Sequence, residues 1–524
     1  GRRGRGAGAA ARAPPPLIPN SPIRQRAELN RAKLTYLTLT AIEVDMTREI
    51  DAQTPISGVF WLQSERKVVP GLITLAPRWP KLELFGSLTD AYEVTSRGPN
   101  FVTRQPSRDG GEELTIHGNL EGGRTFSGWP RRVTLIRSNT RRRLVQMFGV
   151  GPEKQVFEGS YALLGGHIED AHSIFTAARM RVQNIDEWTA LPGLERTIGR
   201  NRASLSFSRP DIPSVALDSH FGRLTLQPRH SIAFSGATEA GIKLSTWLEF
   251  RFDGGYTVDA LRSKFLLPLS TLLTILYGVE CQPTDLEVFD EGNRTWLKVF
   301  AYEISSATCG KSEDPLLTYR DIGLEKLAAW FTIFDRLAPI PRILAGVIAD
   351  KDRAVENRLM ELAMAAEGLH RRLHPGSRRL SEDRVTESIS ILKNSSLAAD
   401  VSDIISNALR THLWDLSFPV RIKELTEEVA AAAPGVCGKS NRWKAAVVNA
   451  RNGFAHSLPG ELADSHQIFA YNSLAASLRW LLTARILQEV GLDDNLISSA
   501  LTSHDKYQSF LSRAKGVLPK IYSE

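Results

Sequence analysis

The chain has 524 residues, of which 42% are hydrophobic and 23% charged, with a formal charge of +7; that is enough for more than one core and roughly two to four domains. Three cysteines, Cys281, Cys309 and Cys437, stand far apart, which argues against a disulfide framework or a cysteine zinc site and suits a reducing cytoplasm. The charge sits mostly in residues 1–27, with six arginines and no acid; residues 351–524 carry 22 basic against 20 acidic groups, leaving −1 for 28–350, so the folded body offers no large electrostatic footprint for nucleic acid.

Residues 1–30, beginning G-R-R-G-R-G-A-G-A-A-A-R-A-P-P-P, read as a disordered basic tail without the apolar core of a secretory signal. No stretch of ~18 uninterrupted apolar residues suggests a membrane span; the best candidate, Ile468 to Leu487, is broken by Arg479 and Arg485.

From 31 to 314 the pattern is one of strands. Short runs rich in β-branched and aromatic residues, such as G-V-F-W-L, G-L-I-T-L, K-L-E-L-F-G and L-S-T-W-L-E-F-R-F, are separated by Gly, Pro, Asn and Asp. Alternation over residues 246–252 should put Trp247 on the face opposite Leu248 and Phe250. The pair Phe60-Trp61 reads as core more than as a stacking platform for bases. One helix interrupts, Val258 to about Tyr277, with Leu261, Phe265, Leu269, Leu272 and Leu276 at helical spacing.

Beyond about 315 almost every segment has a 3.6-residue period. Helices are expected over 324–337, 343–373, 381–392, 398–413, 420–433, 441–456, 462–490 and 496–511. Residues 315–350 form a helical linker around Trp330 and Pro339-Ile340-Pro341, and 351–524 an all-α bundle. Strands first and helices afterwards give the class: α+β, multidomain, a β-rich N-terminal domain followed by a helical one.

The segment Arg451-Asn452-Gly453-Phe454-Ala455-His456 carries the most chemistry. A guanidinium that stays protonated, beside an imidazole that titrates near neutrality, suits metal-free handling of a phosphodiester. On a continuous helix Asn452 and His456 are i,i+4 and share a face, whereas Arg451 lies about 140° away and must swing round. Trp443, Val447, Ala450 and Phe454 form the opposite apolar stripe, and Gly453 leaves room for close approach of a helix or an RNA backbone. The spacing alone is weak, since Arg223 and His230 show it in a β-patterned stretch. His456 as a helix cap and Arg451 as a structural ion-pair residue remain open readings.

The R-N-x-x-x-H pattern resembles the motif of the HEPN superfamily. The stretch Glu361 to Arg372, then S-F-P-V-R-I-K-E-L at 417–425, is similar to the ApeA-type branch. So are Gly58-Val59-Phe60-Trp61, Val69-Pro70-Gly71-Leu72-Ile73 and Leu82-Glu83-Leu84-Phe85-Gly86, in the order of ApeA-type N-terminal domains. The resemblance implies a cytoplasmic anti-phage effector with a HEPN endoribonuclease, with Arg451, Asn452 and His456 in the site and Glu367 as the facing polar residue of an earlier helix. It implies an RNA substrate, tRNA or another structured or single-stranded RNA. It also implies a phage-derived trigger acting through the N-terminal domain, a homodimer or higher oligomer, no membrane, no cofactor and no metal. Glu367 stands four residues before Arg371, so a surface salt bridge competes with a role in the site; His370 and His374 share its face without an evident carboxylate pattern for a metal. The alternatives are a non-catalytic HEPN binding or dimerisation module, with the N-terminal domain as the functional part, and a HEPN target of a partner nucleotidyltransferase, which usually has a shorter chain.

Overall fold

The computed structural model describes residues 53–64, 66–75, 79–89, 92–98, 101–106, 114–121, 131–137, 143–145, 154–200, 203–208, 210–217, 222–235, 239–304, 314–350, 352–455 and 465–523. The basic tail expected over 1–30 lies outside them, as do Cys309 and His456.

Fourteen strands of the described residues join in one antiparallel sheet. From one edge it runs through Ser214–Ala216, Arg223–Ser235, Glu239–Tyr256, Phe175–Val182, Pro283–Asp290, Thr295–Ala301 and Tyr161–Leu164. It continues through Arg131–Arg137, Leu114–Leu120, Ile56–Leu62, Val68–Thr74 and Lys81–Leu84 to Lys154–Glu158 and Arg143–Val145. Alternation sets the facing. In Ile56–Leu62, Phe60 and Leu62 turn inward to a cluster with Ile73, Leu82, Leu135 and Phe157, while Trp61 meets the rings of His117 and His167. Gly118 lies beneath Phe60, where a Cβ would come within 2.5 Å of the ring, so the packing itself requires glycine.

The 246–252 expectation holds with one addition. Leu248 and Phe250 enter the core. Trp247, on the other face, is only 8% exposed, because Arg179, Arg181 and Arg229 lie 5.2, 5.6 and 5.6 Å from its ring. Cations cover Trp247 on that face of the sheet.

A short helix, α1 (Ile185–Thr189), precedes the expected long one. The latter is built as α2 (Val258–Leu261), a π turn (Arg262–Leu266) and α3 (Leu267–Tyr277). Thr257 caps its start by accepting from the Ala260 N–H, and Gly278 at φ 64° ends it.

The bundle comprises α4 (Tyr319–Leu337), α5 (Ile340–Ala349), α6 (Val355–Leu373), α7 (Glu382–Lys393), α8 (Ala399–Ala408), α9 (Phe418–Glu428), α10 (Ser440–Ala455), α11 (Ser465–Glu489), α12 (Asp494–Ser503), α13 (Asp505–Val517) and α14 (Pro519–Tyr522). The helix expected over 343–373 is two, broken between Ala349 and Val355. That over 496–511 is also two, because His504 leaves helical geometry at φ −87°, ψ 122° and caps α13 through the Lys506 N–H. A π turn, Leu409–Leu413, follows α8.

A single apolar cluster unites the halves. It holds Leu248, Phe250 and Phe265 from the β-rich part, Trp330, Phe331 and Leu344 from α4 and α5, and Leu362, Trp443 and Leu481 from the bundle. Trp330 is fully buried and donates its indole N–H to the Pro268 carbonyl at 2.8 Å; Phe331 meets Phe250 edge-on at 5.4 Å. The segment expected to link two domains is therefore shared core. No helix of the described residues is long and apolar enough to cross a membrane.

Candidate active site

Helix α10 sits as its stripe demands: Trp443 and Val447 are fully buried and Ala450 nearly so. The Trp443 indole donates to Ser477 Oγ on α11 at 2.7 Å, which fixes the roll of α10 as well as its depth. Phe454 closes the stripe, edge-on to Tyr471 at 4.9 Å. That roll leaves Arg451 part-exposed, with its guanidinium 5.2 Å from the Phe418 ring at the start of α9. Arg451 Nη1 donates to Asn452 Oδ1 at 3.3 Å. A Cβ at Gly453 would meet nothing within 4 Å among the described residues.

Glu367 on α6 converges with Arg451. Its Oε2 lies 3.8 Å from Arg451 Nη2, an ion pair beyond hydrogen-bond length. Its Oε1 accepts from Arg371 Nη2 at 3.0 Å. The salt bridge to Arg371 that the sequence offered and a contact with Arg451 coexist on the two oxygens of one carboxylate. The structure thus brings together Arg451, Asn452 and Glu367; His456 follows directly on the last described residue of α10.

Behind Glu367 lies a polar network, centred on the buried Arg421 and His370, that sequence reasoning missed. Arg371 Nη1 donates to Asp415 Oδ2 at 2.6 Å, and Asp415 Oδ1 accepts from Arg421 Nη2 at 2.6 Å and from the Leu416 N–H at 2.8 Å. Arg421, fully buried, gives its Nε–H to the Leu416 carbonyl at 3.1 Å and its Nη1 to His370 Nδ1 at 3.0 Å. A guanidinium can only donate, so Nδ1 is the acceptor and the His370 proton sits on Nε2, which meets Glu424 at 2.5 Å. Burial lowers the His370 pKa from its ordinary value, against the opposing pull of Glu424. Burial pushes Asp415 up, but the hydrogen bonds from Arg371 and Leu416 outweigh it and hold the carboxyl below its usual range.

His370 and His374 do not converge on a common point for a metal. Their rings lie 4.6 Å apart, and each has its own glutamate: His374 Nε2 meets Glu428 Oε1 at 2.7 Å. No group of three or more candidate ligands forms among the described residues. The usable signal was the spacing: 370 and 374 on α6 match 424 and 428 on α9, two i,i+4 pairs that zip facing helices.

Residues 55–330 match the family model described as ApeA N-terminal domain 1, and residues 360–496 match the one described as Apea-like HEPN. The second span includes Glu367, Asp415, Arg421, Arg451, Asn452 and His456. Neither curated proteins nor solved structures give a match.

Proposed function

The chain belongs to the ApeA-type HEPN proteins, and from that premise we propose that it is a cytoplasmic anti-phage effector whose helical half cleaves RNA without a metal. The observation that carries the reading is the convergence of Arg451 and Glu367 from separate helices beside the His456 position. HEPN domains are generally nucleases, and this pairing fixes a cation near the last described turn of α10.

In the proposed reaction the ribose 2′-OH attacks the adjacent phosphorus, the P–O5′ bond breaks, and the products are a 2′,3′-cyclic phosphate and a 5′-OH. The step needs a base for the 2′-OH, an acid for the departing O5′, and positive charge where the phosphorane forms. His456 serves as base or acid, and the Arg451 fork neutralises the non-bridging oxygens. Asn452, one helical turn before His456, orients its ring. Glu367 positions Arg451 from α6. One imidazole cannot serve two oxygens at once, so we propose a homodimer in which two such segments face one another. A phage-derived signal, received by the β-rich part, releases the activity.

The test is phage challenge of cells carrying the wild type, Arg451→Ala or His456→Ala, with total RNA sequenced, alongside cleavage by purified protein in EDTA. RNA loss in the wild type only, with EDTA-resistant cleavage leaving cyclic phosphate ends, is expected. Activity that requires added Mg²⁺ overturns the mechanism.

A further inference from the structure

Next to the polar network lies a cavity of about 410 Å³ lined by Gly376, Arg378, Leu380, Ser381, Glu382 and Trp414. Its two walls are strapped together by main-chain bonds. The Arg379 and Leu380 N–H groups both donate to the Trp414 carbonyl, at 2.9 and 3.2 Å, and Arg378 pairs with Asp415 as an isolated β-bridge. The two segments that line the cavity are therefore fixed relative to one another by backbone.

Its lining is unusual for a surface cleft. Trp414 is half-buried, with the Arg378 guanidinium 4.8 Å from its ring. Arg378 is itself tethered, Nη1 donating to the Ser377 carbonyl at 3.0 Å and facing Asp415 Oδ1 at 3.6 Å. A guanidinium lying over an indole presents a planar, positively charged surface backed by a π-system, the combination by which single-stranded nucleic acid is held. The lining adds one carboxylate, Glu382, which can accept a hydrogen bond from an exocyclic amino group and repels a phosphate.

A chain of ion pairs leads from the cavity wall to the candidate active site. Asp415, the residue after Trp414, pairs with Arg371 at 2.6 Å; Arg371 pairs with Glu367 at 3.0 Å; Glu367 faces Arg451 at 3.8 Å. We infer that this cavity is a base-binding subsite for the RNA strand, taking a nucleotide that flanks the cut. Trp414 and Arg378 stack the base, and Glu382 favours one that bears an amino group, cytosine or adenine, over uracil. The inference rests on the ribonuclease reading and deepens it.

The probe is a 2′-O-methylated hexacytidylate, which lacks the attacking hydroxyl and cannot be cut, titrated into the full chain by fluorescence anisotropy beside the matching hexauridylate. The wild type should prefer the cytidylate. Trp414→Ala should weaken its binding roughly ten-fold and raise KM for cleavable RNA with kcat little changed, while Trp414→Phe restores most of the affinity. Glu382→Gln should reduce the preference over uridylate. A readout independent of any variant's folding is photo-crosslinking of a 5-iodocytidine oligomer to the wild type, which should label the peptide containing Trp414. Equal affinity in folded Trp414→Ala, or label on other peptides only, overturns the subsite while leaving RNA cleavage by the wild type intact. A wild type that neither binds nor cuts RNA overturns the ribonuclease reading, and the subsite falls with it.

Discussion

Glu367 is shared by two arginines from different helices: Arg371, one turn along α6, at 3.0 Å, and Arg451, across on α10, at 3.8 Å. Arg371 is also held by Asp415, and although burial opposes its charge, the bonds to Asp415 and Glu367 raise its pKa above the usual arginine value. The carboxylate is thus anchored on one oxygen and presented to Arg451 with the other. Glu367→Gln keeps the shape and loses the charge, so it should lower the cleavage rate with thermal stability nearly unchanged. Arg371→Ala removes a half-exposed partner, and pairs of that kind contribute about 0–1 kcal/mol, so its loss should show as a small fall in midpoint on chemical unfolding. A Glu367→Gln protein with full activity would remove Glu367 from the site.

The orientation of Arg451 depends on the roll of α10, and that depends on Trp443. Trp443→Ala should cost about 3–5 kcal/mol, as large-to-small changes at buried aromatics do. Trp443→Phe keeps most of the apolar contact but leaves Ser477 Oγ without its donor, a loss of about 1–3 kcal/mol. Urea unfolding at neutral pH separates the two. Equal stability of Trp443→Phe and wild type would mean that the indole hydrogen bond contributes nothing.

A composite site needs two copies. The chain should be at least a dimer, with the two α10 helices near a twofold axis and His456 of one copy close to Arg451 of the other. Light scattering checks the mass, and mixing wild type with His456→Ala checks the geometry. A mixed dimer has one imidazole for two oxygens, so added His456→Ala protein should lower the activity of the wild type. A stable monomer active at nanomolar concentration would contradict the arrangement.

Three histidines fold into places that resist protonation. Burial lowers the pKa of His167, His370 and His504. Unfolded, each titrates near 6.5, so the unfolded chain takes up protons that the folded one refuses. Their contribution to stability is complete above about pH 6.5 and is lost as pH falls from there toward the lowered values. Asp415, held low, contributes above about 3.8 and is lost only at more acid pH. The melting temperature should therefore fall between pH 7 and 5, and His370→Gln, which can still accept from Arg421 and donate to Glu424, should make the slope shallower. An unchanged slope would mean that His370 titrates alike folded and unfolded.

Periodicity made the strand-to-helix switch legible, and the apolar stripe of α10 was readable residue by residue, because both follow from local geometry. The breaks near 350 and at His504 were not. Each interrupts a continuous apolar pattern with a backbone change that the core compensates. Nor was the shared core, since Trp330 and Phe331 are spaced like any amphipathic helix, and only the fold shows that Pro268 and Phe250 lie against them. At the candidate site, Arg451 and Asn452 were evident from the motif, whereas Arg421 reads as an ordinary surface cation until Asp415 and His370 enclose it.

The shared core bears on how a signal could reach the site. Ion pairs and hydrogen bonds run from α4 inward. Arg336 pairs with Glu489; Glu489 with Arg485 at 2.7 Å; Arg485 with Glu428 at 2.7 Å; Glu428 with His374 at 2.7 Å. His374 lies ring to ring with His370, whose partner Arg421 leads through Asp415 and Arg371 to Glu367. We propose that α4, packed on the β-rich part through Trp330, biases this network between two arrangements. Spatial continuity alone does not establish coupling, so the test must separate threshold from turnover. Arg336 is about half exposed, and a pair of that kind is worth about 0–1 kcal/mol. Arg336→Ala should therefore shift the trigger dose for half-maximal activity by no more than about five-fold, leaving the cleavage rate at saturation unchanged. Glu428→Gln touches both Arg485 and His374 and should shift the dose further. Deleting residues 1–310 is a poor test, because it strips Pro268 and Phe250 from α4 and exposes Trp330 and Phe331; that fragment should aggregate. If Arg336→Ala and Glu428→Gln leave the activation threshold where it is in the wild type, the network holds the bundle together and transmits nothing.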